Sequence, residues 1–146
     1  MLVSPHVATG AALGALIGNP FVVIPVALAS HFVLDSIPHW QETLAPYSPT
    51  RKTFIRIPID LLVSAAVILL AMQLQPHHAW AICLGALFAS GADMDVLVVL
   101  YPKLKKGVLE KYWDWHCALQ RETSSLWGLV PQIAVVALGI VTIYRS

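Results

Sequence analysis

Five apolar segments follow one another along this chain, and they restrict its fold more than any other feature of the sequence. They cover residues 5–17, 21–37, 57–74, 80–101 and 126–144. A helix that crosses a bilayer needs about 20 mainly apolar residues. Apolar residues make up 58% of the chain and charged residues only 12%, whereas soluble domains average roughly 45–50% and about 25%. We therefore expect an all-α, polytopic membrane bundle of about five helices, built as a single domain over residues 1–146.

The first apolar segment is too short to cross a bilayer by itself. At 1.5 Å per residue it reaches roughly 20 Å, against a hydrocarbon core of about 30 Å. Glycine recurs at every fourth position, at Gly10, Gly14 and Gly18. Because small residues at this spacing let helices approach closely in lipid, we expect this helix to be buried against the others.

The basic residues predict the orientation of the bundle. Eight of the nine lie in two connections, residues 40–56 and 102–123, and basic loops tend to stay in the cytoplasm. This pattern predicts a multi-pass inner-membrane protein with a cytoplasmic N-terminus. The second connection has the amphipathic Lys and Trp pattern of a helix lying on the cytoplasmic membrane surface. A net charge of +1 gives no basic field for nucleic acid, so membrane lipid is the expected environment and a candidate substrate.

Ionisable residues from four apolar segments approach the same predicted membrane face. Such residues cost roughly 2.5–3.5 kcal/mol each at the centre of a spanning helix, so they persist where they pair or bind a ligand. The stretch SHFVLDSIPHW spaces two histidines and an aspartate four residues apart, and imidazole and carboxylate groups are ligands for zinc and similar divalent ions. The candidate metal ligands are His6, His31, Asp35, His39, Asp60 and Asp93.

Each of these assignments competes with a structural alternative. His31 and Asp35 share a helix face and could form only a buried hydrogen-bonded pair. Asp60 could instead pair with Arg56, one helical turn earlier. His39 follows a proline that ends the helix, and we expect it to fold back toward the same site.

The candidate catalytic residues are Asp95, His116 and Arg121. Asp93 and Asp95 are two residues apart and cannot share the face of a regular helix. Asp93 is favoured as the ligand, which leaves Asp95 to cap a helix or to hold a ligand histidine. His116 could be a further ligand, a general acid or an interfacial histidine, and Arg121 could bind a phosphate oxygen or lipid headgroups.

Several stretches together resemble a known family. PHVATGAALG, SHFVLDSIPHW, GADMDVL and LQRETSSLWG are similar to the YdjM-like family of bacterial inner-membrane proteins, described as membrane-bound metal-dependent hydrolases. More distantly, HFVLDSIPH resembles the ligand stretch of zinc-dependent phospholipases C and related single-strand nucleases. That resemblance implies zinc ligation by His31, Asp35 and His39.

The late motif departs from the family pattern. Gln120 and Ser124 stand where the family has histidines, so either His116 substitutes from one turn earlier or this chain has lost ligands. The expected function is a membrane-embedded hydrolase with one or more divalent ions, zinc first, acting on phosphoesters of lipids or other amphiphiles at the cytoplasmic leaflet. The alternatives are a metal- or proton-translocating protein and a structural protein whose polar cluster only ties helices together. The nearly apolar outer halves of the segments argue against a conduit.

Overall fold

The computed structural model describes residues 1–41, 51–96, 98 and 101–146, without the side chains of Asp95 and Val96. Six α-helices lie in these residues: α1 (Val3–Ile17), α2 (Pro20–Asp35), α3 (Thr53–Leu74), α4 (Ala79–Gly91), α5 (Val108–Leu119) and α6 (Ser125–Arg145). Short 3-10 helices cover Pro76–His78, Ala92–Val96 and Pro102–Leu104. The described part of the chain has no β-strand, so the all-α prediction is confirmed.

Two helices, α3 with 22 residues and α6 with 21, are long and apolar enough to cross a membrane. The helices α1 and α2 are apolar but shorter, so a bundle of five spans stays a prediction. In the fourth apolar segment, residues 80–101, α4 ends at Gly91 and a 3-10 helix covers Ala92–Val96. The sequence Ala-Asp-Met-Asp breaks the apolar run at this point, and aspartate competes with helical hydrogen bonding through its own side chain.

The first helix, α1, lies at the centre of the bundle and packs on α2, α3, α4 and α6. Ten of its 15 residues are buried. A Cβ atom at Gly10 would overlap the Gly85 carbonyl, and one at Gly14 would overlap the backbone at Ala81. The predicted burial of this helix is therefore confirmed. Gly18 has a different role, since its φ of 65° makes it the left-handed residue that ends α1.

Side chains from α3 and α6 hold the start of α1. The Asp60 carboxylate accepts hydrogen bonds from the Val3 N–H at 2.7 Å and from the Ser4 N–H at 3.1 Å. The Leu2 N–H donates to Gln132 Oε1 at 2.8 Å. These groups satisfy N–H donors that have no partner within their own helix, and the aspartate charge complements the positive end of the helix dipole.

The segment after α2 packs against the segment before α6. The His39 N–H donates to the Arg121 carbonyl at 2.9 Å, and the Thr123 N–H donates to the His39 carbonyl at 2.9 Å. The chain comes so close here that a Cβ at Gly128 would overlap the Trp40 backbone. This contact fixes the ends of α2 and α5 and the start of α6 at the same end of the bundle as the start of α1.

Candidate metal centre

Four side chains converge at that end of the bundle. His31 and Asp35 come from the last turns of α2, His116 comes from α5, and Asp93 comes from the 3-10 helix after α4. Each offers one ligand atom, and these four atoms lie within 4.8 Å of one another. The first three side chains are buried, and Asp93 is 30% exposed. Together they form a group that could hold a metal ion, which we call the four-residue centre.

The distances within the four-residue centre resemble those around one tetrahedral ion. Asp35 Oδ2 lies 3.0 Å from His31 Nε2 and 2.9 Å from His116 Nε2, and the two nitrogens are 3.1 Å apart. Asp93 Oδ1 lies 3.6 Å and 4.0 Å from the same nitrogens. Tetrahedral zinc with bonds of about 2.0–2.1 Å separates its ligand atoms by about 3.3 Å. The donor types and their spacing therefore fit a zinc-like ion with small adjustments.

The end of α4 orients the His31 ring. The His31 Nδ1–H donates to the Ala89 carbonyl at 2.7 Å, and Ala89 is within the last turn of α4, where carbonyls lack a helical partner. With its proton on Nδ1, a neutral imidazole presents the Nε2 lone pair to the centre. A ligand histidine held by a carbonyl through its other nitrogen is the usual arrangement in metal sites.

Aromatic residues of α2 and α5 position His116. The Phe32 ring contacts His116 edge-on at 5.8 Å between centroids, and the Tyr112 ring lies 5.6 Å from it. The Tyr112 hydroxyl donates to the Ala92 carbonyl at 2.8 Å. This bond ties α5 to the 3-10 helix that carries Asp93, so it brings two of the four ligands together.

His6 lies beside the four-residue centre. Its buried ring stacks on His31 with centroids 4.1 Å apart, and its Nε2 lies 3.2 Å from Asp35 Oδ1. The Met1 amino nitrogen lies 2.6 Å from the same oxygen. The two oxygens of Asp35 therefore face different partners: Oδ2 faces the nitrogens of His31 and His116, and Oδ1 faces His6 and Met1.

His39 is buried at the same end but does not belong to the four-residue centre. Its Nδ1–H donates to the Ile37 carbonyl at 2.8 Å, and its Nε2 has no hydrogen-bond partner in the described ranges. Burial lowers the pKa of the His39 imidazole, which favours the neutral ring. A single ion shared by His31, Asp35 and His39, as expected from their spacing, stays a prediction.

Three other predicted site residues take different positions. Asp60 caps α1 with both oxygens, and its metal ligation and its pairing with Arg56 stay predictions. Arg121 is exposed, and it contributes its backbone: its carbonyl accepts the His39 N–H, and its own N–H lies 3.4 Å from the Asp35 carbonyl. The side chain of Asp95 lies outside the described residues.

Asp93 differs from the other members of the four-residue centre in its exposure: its side chain is 30% exposed, whereas theirs are 0–1% exposed. The centre is therefore open to solvent on its Asp93 side.

Sequence reasoning did not identify the Ala89 carbonyl or Tyr112 as parts of the site. A backbone carbonyl has no signature in the sequence, since any residue supplies one. Tyr112 did carry a signal, because it lies four residues before His116 and therefore on the same helix face.

Comparisons with protein-family models, with curated proteins and with solved structures gave no match for this chain.

Proposed function

We propose that this protein is a membrane-embedded, metal-dependent hydrolase with its ion held by His31, Asp35, Asp93 and His116. The observation that carries the proposal is the triangle of two imidazole nitrogens and one carboxylate oxygen with edges of 2.9–3.1 Å. Zinc is the first candidate, because it takes nitrogen and oxygen ligands in a tetrahedral arrangement. When bound, such an ion would supply an activated water with a pKa near about 7 and would polarise the scissile group.

The protein residues divide into those that fix the centre and one that faces its opening. His31, Asp35 and His116 are buried. The Ala89 carbonyl holds His31, His6 lies against Asp35, and rings of α2 and α5 pack on His116. Asp93 is partly exposed and its oxygen is farther from both nitrogens. Catalytic zinc sites keep three protein ligands and leave the fourth position to water or substrate, so Asp93 is the ligand that yields its place.

Lipid phosphoesters are the proposed substrate class because of where the centre lies. The two membrane-length helices α3 and α6 both begin at the end of the bundle that carries the four-residue centre. This end would lie at headgroup depth in a bilayer. Exposed basic residues Arg51 and Lys52 immediately precede α3, and they would attract an anionic headgroup. The resemblance of the sequence to YdjM-like membrane hydrolases also belongs to this proposal.

The translocation alternative finds less support in the structure. Between the centre and the far end, α1, α3, α4 and α6 enclose a core cluster of Ala8, Ala11, Ala12, Ala15, Val67, Ala71, Ile82 and Ile143. Ions cross membranes along polar or water-filled paths, and this cluster is apolar throughout. Measuring the metal content distinguishes the hydrolase from a structural protein whose polar cluster binds no metal.

The test is elemental analysis of the purified full-length protein, combined with hydrolysis of phosphatidic acid in vesicles. We expect about one zinc-like ion per chain and a rate that chelation abolishes and added metal restores. His116→Ala should lose both the ion and the activity, and the exposed His77→Ala should keep both. A wild-type protein that binds no divalent ion, or a His116→Ala variant with full metal and activity, would overturn the proposal.

A further inference from the structure

The helix α5 supplies His116 to the four-residue centre but buries little else. Of its 12 residues, all of which the structure describes, His116 is the single buried one. The helix packs on the end of α2 and on the 3-10 helix after α4, and the Trp115 ring meets the Phe32 ring at 4.9 Å between centroids. Isolated helices shorter than about 12–15 residues are marginal in water, and packing of one face usually stabilises them. A further surface is therefore needed to keep α5 helical.

The face of α5 next to His116 carries exposed apolar and basic side chains. Val108, Lys111 and Trp115 follow one another at spacings of three and four residues, so they share one face of the helix. Val108 is 85% exposed and Trp115 is 50% exposed. An α-helix turns by about 100° per residue, so Trp115 points about 100° away from His116. The helix can therefore place His116 in the centre while Val108 and Trp115 contact another surface.

The connection before α5 extends this exposed face. Residues 101–107 are all exposed, and the large apolar side chains of Tyr101 and Leu104 lie among three lysines there. Over residues 101–119 the sequence has four lysines and two acidic residues, so the net charge of this part is positive. We call the exposed apolar and basic residues of this part the α5 surface. Contiguous exposed apolar residues of this kind mark contacts with proteins or membranes.

The position and charge of the α5 surface favour a layer of anionic lipid headgroups as its partner. The membrane-length helices α3 and α6 begin at the end of the bundle where α5 lies, so α5 is near the level at which they would enter a bilayer. Each lysine close to an anionic lipid surface strengthens binding about fivefold, and apolar side chains enter the boundary between headgroups and acyl chains. A second copy of the α5 surface would instead bring like charges together.

We propose that the α5 surface binds anionic phospholipids and that this contact holds His116 in the four-residue centre. Lipid contact and ligand placement use different faces of one short helix, so an ordered α5 provides both and a frayed α5 provides neither. His116 Nε2 lies 2.9 Å from Asp35 Oδ2, a distance that depends on where α5 lies. The bilayer is thus the partner that completes the ligand set. The lipid contact is independent of the proposed function, whereas its effect on the metal rests on that function.

The first test measures the order of α5 in the absence of metal. The full-length protein is treated with a chelator and placed, one chain per disc, in nanodiscs of phosphatidylcholine or of phosphatidylcholine mixed with phosphatidylglycerol. We expect hydrogen exchange over residues 108–119 to be about tenfold slower in the anionic discs, and exchange over α3 to be the same in both. Equal exchange of α5 in the two discs would overturn the proposal, because the chain would then order α5 without anionic lipid.

Charge variants provide the matched comparison. Lys103→Gln with Lys106→Gln removes two exposed charges from the α5 surface, and we expect most of the slowing in anionic discs to disappear. Glu110→Gln changes the charge of α5 itself in the opposite direction, and Arg145→Gln removes a charge at the far end of α6. Both of these controls should keep the slowing. Persistence of the slowing in the double lysine variant, or its loss in either control, would refute the α5 surface.

Zinc affinity is then measured in the same discs by competition with a chelator. We expect the wild-type protein to bind zinc about tenfold more tightly in the anionic discs. The double lysine variant should bind zinc equally in both discs, which separates the effect of α5 from attraction of zinc by the lipid. Equal zinc affinity of the wild-type protein in both discs would refute the effect on His116. Slow exchange of α5 in anionic discs without any zinc binding would support the lipid contact and refute the proposed function.

Discussion

Replacing Asp35 by asparagine is the sharpest test of the four-residue centre. The amide keeps the shape of the side chain but removes the anionic oxygen that lies 2.9–3.0 Å from two imidazole nitrogens. Loss of a residue that only supports a ligand weakens metal binding by about 10–100-fold. Loss of a ligand's negative charge should exceed that range, so we expect the dissociation constant to rise by more than about 100-fold, or about 2.7 kcal/mol.

The same substitution should also lower the stability of the metal-free protein. Asp35 Oδ1 lies 2.6 Å from the buried Met1 amino nitrogen, and removing one partner of a buried ion pair costs about 3–5 kcal/mol. The measurements are zinc titration against a competing chelator and thermal unfolding by circular dichroism, both in detergent. Asp114→Asn is the control, because its pair with Lys105 is exposed and such pairs contribute about 0–1 kcal/mol. An Asp35→Asn protein with wild-type zinc affinity would show that the centre does not bind metal as described.

Three further predictions concern pH, packing and orientation. Metal affinity should decrease as the pH falls from about 7 to 5, because protons compete for the nitrogens of His31 and His116. Chelator competition at several pH values measures the affinity, and an affinity that does not change with pH would contradict the prediction. Gly10→Ala should destabilise the bundle by about 1–3 kcal/mol, because the added methyl group overlaps α4. Gly91→Ala should leave the stability unchanged, because the space around its Cβ position is open, and unfolding in detergent compares the two variants. The exposed Cys117 should react with an impermeant thiol reagent in inverted vesicles but not in intact cells, and labelling of intact cells would reverse the predicted orientation.

The parts of the fold that were predictable depend on local patterns. Composition alone is sufficient to expect helices, and the spacing of Gly10 and Gly14 is sufficient to expect a buried α1. His31 and Asp35 could be paired because a separation of four residues places two side chains on one helix face. Each of these inferences uses residues close together in the chain.

The parts that were missed depend on contacts between distant residues. Asp60 caps a helix that begins 57 residues earlier, and no spacing rule connects the two positions. His116 reaches Asp35 across 81 residues, which explains why its role was left open between ligand, acid and interfacial histidine.

The attachment of the start of α1 to the last helix has a consequence for biosynthesis. Leu2 bonds Gln132 across 130 residues, and the centre beside it needs His116 from the second-last helix. Under the proposed function, a nascent chain that has only its first helices would lack His116 and therefore a complete ligand set, because contacts between distant residues form late. Metal loading would then follow the completion of the chain, and a bound ion would mark only chains that have been finished and assembled.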